Sequence, residues 1–102
     1  MASVTPVAGL TSEVLLGGTA VVVIPPNANG GVITNPYAAS DQGLENAEVL
    51  YIDPTGAAAD LSANGTAFAL QPGQEWTIIP GQTTSTSVNA ASSGHKFSAI
   101  YY

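Results

Sequence analysis

The stretch TAFALQPGQEWTII, residues 66–79, decides the fold. Two runs of β-forming residues flank a QPGQ linker with Pro72 and Gly73 at its centre. Proline presets the backbone of the second turn position, and only glycine adopts the positive φ of the third at little cost, so the linker reads as a type II turn. The expectation is a hairpin joining a strand at 66–70 to another at 75–79. Helical reading fails here, as it does along the rest of the chain. No window of about a dozen residues carries an i, i+3, i+4, i+7 apolar stripe free of Gly and Pro.

Working outward, the same punctuation recurs. Turn markers stand at GG 17–18, PPNANGG 25–31, NP 35–36, DPTG 53–56, ANG 63–65, PGQ 80–82 and SSG 92–94. Turns about every eight to twelve residues are the spacing of short strands in an all-β domain. The intervening runs predict strands at 12–16, 19–24, 31–35, 47–52, 66–70, 75–79, 84–90 and 95–101. About eight short antiparallel strands in a chain of this length point to a single jelly-roll-like β-sandwich. Residues 1–11 read as an extended arm preceding a domain over 12–102, and 36–46 as a surface loop with at most a helical turn.

Alternation along the strands carries a second message. In HKFSAIYY, Phe97, Ala99 and Tyr101 point one way, while Lys96, Ser98, Ile100 and Tyr102 point the other. In EWTII, Trp76 and Ile78 share one face, and AVVVI is apolar on both. An antiparallel strand with one dry face and one wet one would alternate cleanly. Apolar groups on both sides predict that loops or another protein cover the outer face.

The 102 residues include 45 % apolar side chains but only 8 % charged ones, against about 25 % in an average domain. Such a chain is too apolar to be disordered and can bury roughly 60–70 % of its unfolded surface. With no cysteine, no disulfide or thiolate ligand contributes. The formal charge is −6, with Lys96 the only basic residue besides His95. Phosphate neutralisation supplies most non-specific nucleic-acid affinity, so no nucleic-acid partner is expected, and anionic membranes are disfavoured alike. The opening MASVTPVAGLTSEV shows neither a basic n-region nor an apolar h-region, so no secretory signal is expected.

Candidate chemistry is sparse. His95 and Lys96 lack a nucleophile-elbow serine motif, and the pair reads as the start of the last strand at the solvent boundary. One histidine cannot supply a zinc site, and Asp41, Glu45 and Glu48 do not follow the spacing of an EF-hand loop. Asn64-Gly65-Thr66 fits a glycan acceptor, but Asn-Gly is itself a turn signal. No catalytic residue, metal or cofactor is expected. Tyr37, Tyr51, Trp76, Tyr101 and Tyr102 suit either a sugar-stacking platform or core and interface anchoring. Trp76, Ile100 and Tyr102 are the candidate partner-interface residues.

LQPGQEWTIIP resembles the turn between the jelly-roll strands of cupins, although the metal-binding histidines of cupin enzymes have no counterpart in it. More broadly, the run L-x-P-G-Q-x-W-x-I-x-P followed by S-V-N-A-A-S-S-G-H-K-F-x-A resembles small all-β virion proteins of tailed bacteriophages. The resemblance covers roughly the second half of the chain. It implies a non-enzymatic capsid decoration (cement) protein, with the major capsid protein as partner and a homotrimer as the common state. Its place would be the capsid exterior, reached from the host cytoplasm during assembly. The alternative is a carbohydrate- or receptor-binding module of a tail or fibre.

Overall fold

The computed structural model describes residues 11–14, 17–36, 48–62, 65–79 and 81–102. Among them the strands are β1 (Thr11–Val14), β2 (Val21–Ile24), β3 (Gly31–Thr34), β4 (Leu50–Asp53), β5 (Phe68–Leu70), β6 (Glu75–Thr77), β7 (Thr86–Asn89) and β8 (His95–Tyr101). No described residue is helical. The strands form two antiparallel sheets, the first in the order β1-β8-β3-β6 and the second in the order β2-β7-β4-β5. Thr11, expected in the arm, opens β1 opposite Ser98. Residues 1–10 of that arm and 37–46 of the expected loop lie outside the described residues.

The pairing is nested. β1 pairs with β8, β2 with β7, β3 with β6 and β4 with β5. Two further ladders, β3 with β8 and β4 with β7, knit these pairs into the two sheets.

The turn at 71–74 forms as its sequence dictates. Gln74 N donates to Gln71 O at 3.0 Å, and Gly73 has φ 87°. The expected hairpin does not follow, because β5 pairs with β4 in one sheet and β6 with β3 in the other. The end of β3 takes up the turn's backbone groups instead. Gly73 N donates to Asn35 O at 2.7 Å, and Asn35 N to Gln74 O at 3.0 Å. The QPGQ segment is therefore a corner between sheets.

One apolar cluster draws on both sheets. Val14, Ile33, Phe97 and Ala99 come from the first, and Ile24, Leu50, Ile52, Leu70 and Val88 from the second. Burying such side chains is worth roughly 1.5–3 kcal/mol each, the main favourable term in a chain without staples. Phe68 on β5 and Trp76 on β6 meet at the margin, their ring centroids 5.8 Å apart and tilted by 56°. Each ring sits on an edge strand of its own sheet, so the pair closes the seam that the corner opens.

Neutral polar side chains satisfy the buried backbone where a more charged protein would use ions. On β7, Ser87 Oγ donates to Ala57 O and accepts from Ala59 N, both at 2.9 Å. Asn89 Nδ2 donates to Ala59 O at 3.0 Å. The segment after β4 is thereby pinned across the second sheet. Nearby, the buried Asp53 accepts from Thr55 N at 2.9 Å and from the Thr66 hydroxyl at 2.7 Å. Thr66 thus serves as an anchor of this turn. A buried polar group costs little once its hydrogen bonds are made, and this arrangement explains how so few charges suffice.

Candidate functional site

The register of the first sheet fixes which side chains share its outer face, because residues directly opposite in an antiparallel pair point the same way. Ile33 is buried and stands between Trp76 and Ala99, so that row faces inward. The adjacent row, Thr77, Val32 and Ile100, faces outward, and so does the row Glu75, Thr34 and Ser98. Ile100 is 44 % exposed.

The outer face continues past the strand ends. Tyr102 N donates to Gly30 O at 3.0 Å and Gly30 N to Tyr102 O at 3.3 Å, which extends the β3–β8 register to this pair. A Cβ on Gly30 would stand 2.5 Å from the Tyr102 hydroxyl oxygen, so the ring lies over this glycine. Glycine here makes a seat for the tyrosine. Beside it, Ile78 N donates to Gly31 O at 2.8 Å, carrying β6 one step further. Strand alternation then places Ile79 on the outer side with Thr77, and it is 63 % exposed. Ile79, Ile100 and Tyr102, which is 43 % exposed, form an apolar end to this face.

Of the expected interface residues, the structure brings Ile100 and Tyr102 together and separates Trp76 from them. Trp76 occupies the opposite side of the sheet, packed against the core and Phe68. Tyr51 lies in the second sheet between Ala69 and Asn89, Tyr101 packs on the core, and Tyr37 lies outside the described residues. The aromatic side chains do not assemble into one platform. A second apolar exposure, Val21 and Val22, lies on β2 at the edge of the second sheet. Val22 precedes a register shift in the β2–β7 ladder, a local distortion that blunts an edge against further pairing.

His95 departs from its expected place. It begins β8 as anticipated, but it is buried, because it shares the inward side with Phe97 and Ala99. Its partner is Asn35, also fully buried. Asn35 Nδ2 donates to Glu48 O at 3.0 Å and to Leu70 O at 2.9 Å. Both amide hydrogens are committed, so Oδ1, 2.8 Å from His95 Nε2, acts as acceptor and the network assigns the proton to Nε2. One asparagine ties together the ends of β3 and β5, the start of β8 and the chain at Glu48. Asn35-Pro36 is a turn marker in the sequence, and the dipeptide itself does not announce this role. The signal available was parity: Ile33 and Asn35 fall on the same side of β3.

These contacts join strands to the segments beside them. His95 Nε2–H is engaged by a neutral amide, and the Ser92 hydroxyl donates to Glu48 Oε2 at 2.6 Å. No group of three metal-ligating side chains stands together among the described residues. Asp41 and Glu45 lie outside them.

Two buried groups make the fold sensitive to acid. Desolvation pushes the His95 pKa below its ordinary 6.5, although the charge of Glu48 opposes this. The unfolded chain takes up this proton first, so the contribution of His95 is intact above pH 6.5 and is lost as pH falls from there toward the lowered value. Burial pushes the Asp53 carboxyl up, but hydrogen bonds from Thr55 and Thr66 together outweigh it and hold the group below 3.8. Its contribution is present above pH 3.8 and fades below. The urea midpoint should be flat between about pH 7 and 8, fall in a first step on acidification below 6.5, and fall again below 3.8. A His95→Gln variant keeps an amide donor for Asn35 and should lose the first step alone. An unchanged wild-type midpoint between about pH 7 and 5 would refute the buried-histidine account.

Set beside known proteins, the chain matches no family model, no curated protein and no solved structure, so its outer face is interpreted from its own geometry.

Proposed function

We propose that the protein is a structural virion component, a decoration (cement) protein that binds the outside of a tailed-phage head and stabilises the lattice of major capsid protein. In this reading it has no catalytic role and acts as a homotrimer on the capsid exterior. The observation that carries the reading is the apolar end of the outer face, where Ile79, Ile100 and Tyr102 stand exposed. Exposed apolar groups gathered on one face favour burial against a partner. A stable contact of about 1,200–2,000 Å² is within reach of one face of a domain this size, and lattice repetition multiplies modest contacts through avidity.

The proposal includes the finer architecture, a jelly-roll β-sandwich. Nested pairing of β1 with β8 through β4 with β5 is what a long antiparallel ribbon of strand pairs gives when it is rolled up. The added β3–β8 and β4–β7 ladders are the contacts that such rolling creates. The 20 Å shortest extent of the molecule suits two layers about 10 Å apart with their outer side chains. A stiff body of this kind can bridge neighbouring shell subunits. The sugar-binding alternative loses its main ring, since Trp76 packs inward on Phe68.

Shells assembled from the major capsid protein encoded in the same genome provide the test. The expected result is saturable, stoichiometric co-sedimentation and a higher shell melting temperature on binding. Shells that sediment without the protein at micromolar concentration would dismiss the decoration role.

A further inference from the structure

The outer face of the first sheet changes character along its strands. At one end stand Ile79, Ile100 and Tyr102. Two residues back along β6 from Thr77, the face carries the exposed carboxylate Glu75, whose cross-strand neighbour is Thr34. The chain has few cations to set against this carboxylate. Lys96 is its only lysine and there is no arginine. The register sets Lys96 opposite Glu13 on β1, and β8 is two strands away from β6.

We propose that this face docks a protein surface whose apolar centre covers Ile79, Ile100 and Tyr102 and whose basic rim meets Glu75. Charge complementarity selects this occupant. A second copy of the chain would bring the same −6 charge and only one lysine, so face-to-face pairing would set like charges against each other. A partner with arginine or lysine beside an apolar patch supplies both missing components. Identification of that partner as the shell rests on the decoration reading, whereas the face and its chemistry stand on the register and the charge inventory.

The test uses capsid shells and four full-length variants. Ile100→Asp and Ile79→Asp each place a charge in the apolar end without touching the core, and each should weaken shell binding by at least about tenfold. Glu75→Gln should slow association several-fold and flatten its salt dependence, as loss of a rim charge does. Asp60→Asn removes the same charge from an exposed turn that follows β4 of the second sheet, and should change neither rate nor affinity. Wild-type affinity in both isoleucine variants would overturn the choice of face. Equal effects of Glu75→Gln and Asp60→Asn would overturn the basic rim. A concentration-dependent dimer in sedimentation equilibrium, abolished by Ile100→Asp, would give the face to a second copy and overturn the proposed partner.

If the wild type ignores shells, the decoration reading falls, and a mixed-mode resin carrying phenyl and quaternary-amine groups then tests the face alone. Retention that weakens with Ile100→Asp and with Glu75→Gln, but not with Asp60→Asn, supports the face chemistry. Equal retention of all variants overturns it.

Discussion

Replacing Asn35 with alanine should lower the unfolding free energy by about 3–5 kcal/mol, the largest effect expected of any single polar substitution here. The side chain makes three hydrogen bonds in a fully buried position, two as donor to Glu48 O and Leu70 O and one as acceptor from His95. Truncation removes the Asn35 partner of all three groups at once. Each orphaned buried group costs roughly 1–3 kcal/mol. For a domain of this size the loss corresponds to a melting-temperature drop on the order of 20 °C. The substitution also separates amide chemistry from shape. Asn35→Asp is nearly isosteric and keeps an acceptor for His95, but it turns an oxygen toward two carbonyl oxygens, so it should be no better tolerated than alanine. Thermal melts of the two variants check this. An Asn35→Asp protein as stable as wild type would show that the donor bonds to Glu48 and Leu70 carry no weight.

A comparable loss is expected three residues from a nearly silent site. Phe97→Ala should cost about 3–5 kcal/mol, the usual range for truncating a buried aromatic, because the cavity it leaves can collapse only partly. Ile100→Ala on the same strand should cost less than about 1 kcal/mol, since its side chain already meets water. Phe97 lies at the centre of the cluster shared by both sheets, and Ile100 faces away from it. Urea unfolding of both variants tests the parity of β8 directly. Similar losses at the two positions would mean that the strand is shifted by one residue, which would exchange its two faces. Ile100 and Tyr102 would then face the core.

Local chemistry made much of this fold legible. The final strand, 95–101, spans the residues that its alternation indicates, and Pro72-Gly73 forms the turn that its backbone preferences dictate. Pairing partners were not legible. A turn between two strands is most simply read as a hairpin, yet here β5 and β6 part into different sheets. The turn's backbone groups pair instead with Asn35, 35 residues upstream of Leu70, a partner that no local pattern announces. His95 was misplaced for a related reason. A lone histidine after a glycine looks like a surface residue until one finds the buried amide that receives its proton. Of the three expected interface residues, Ile100 and Tyr102 stand on the outer face that alternation in β8 indicates. Trp76 shows the limit of that approach, since alternation tells which residues share a face but not which face is inside.

The nested order of strand pairs has a consequence for how the chain is made. On the ribosome, Thr11–Val14 emerges more than 80 residues ahead of its mate His95–Ser98. Translation at roughly 5–20 residues per second leaves that first strand without a ladder for several seconds. The innermost pair, β4 with β5, can zip during synthesis, and the outer pairs must wait their turn. Assembly from the middle outward makes β8 the strand that locks the much earlier β1, so a nascent chain cut short before Phe97 would leave the first sheet without one of its two central strands.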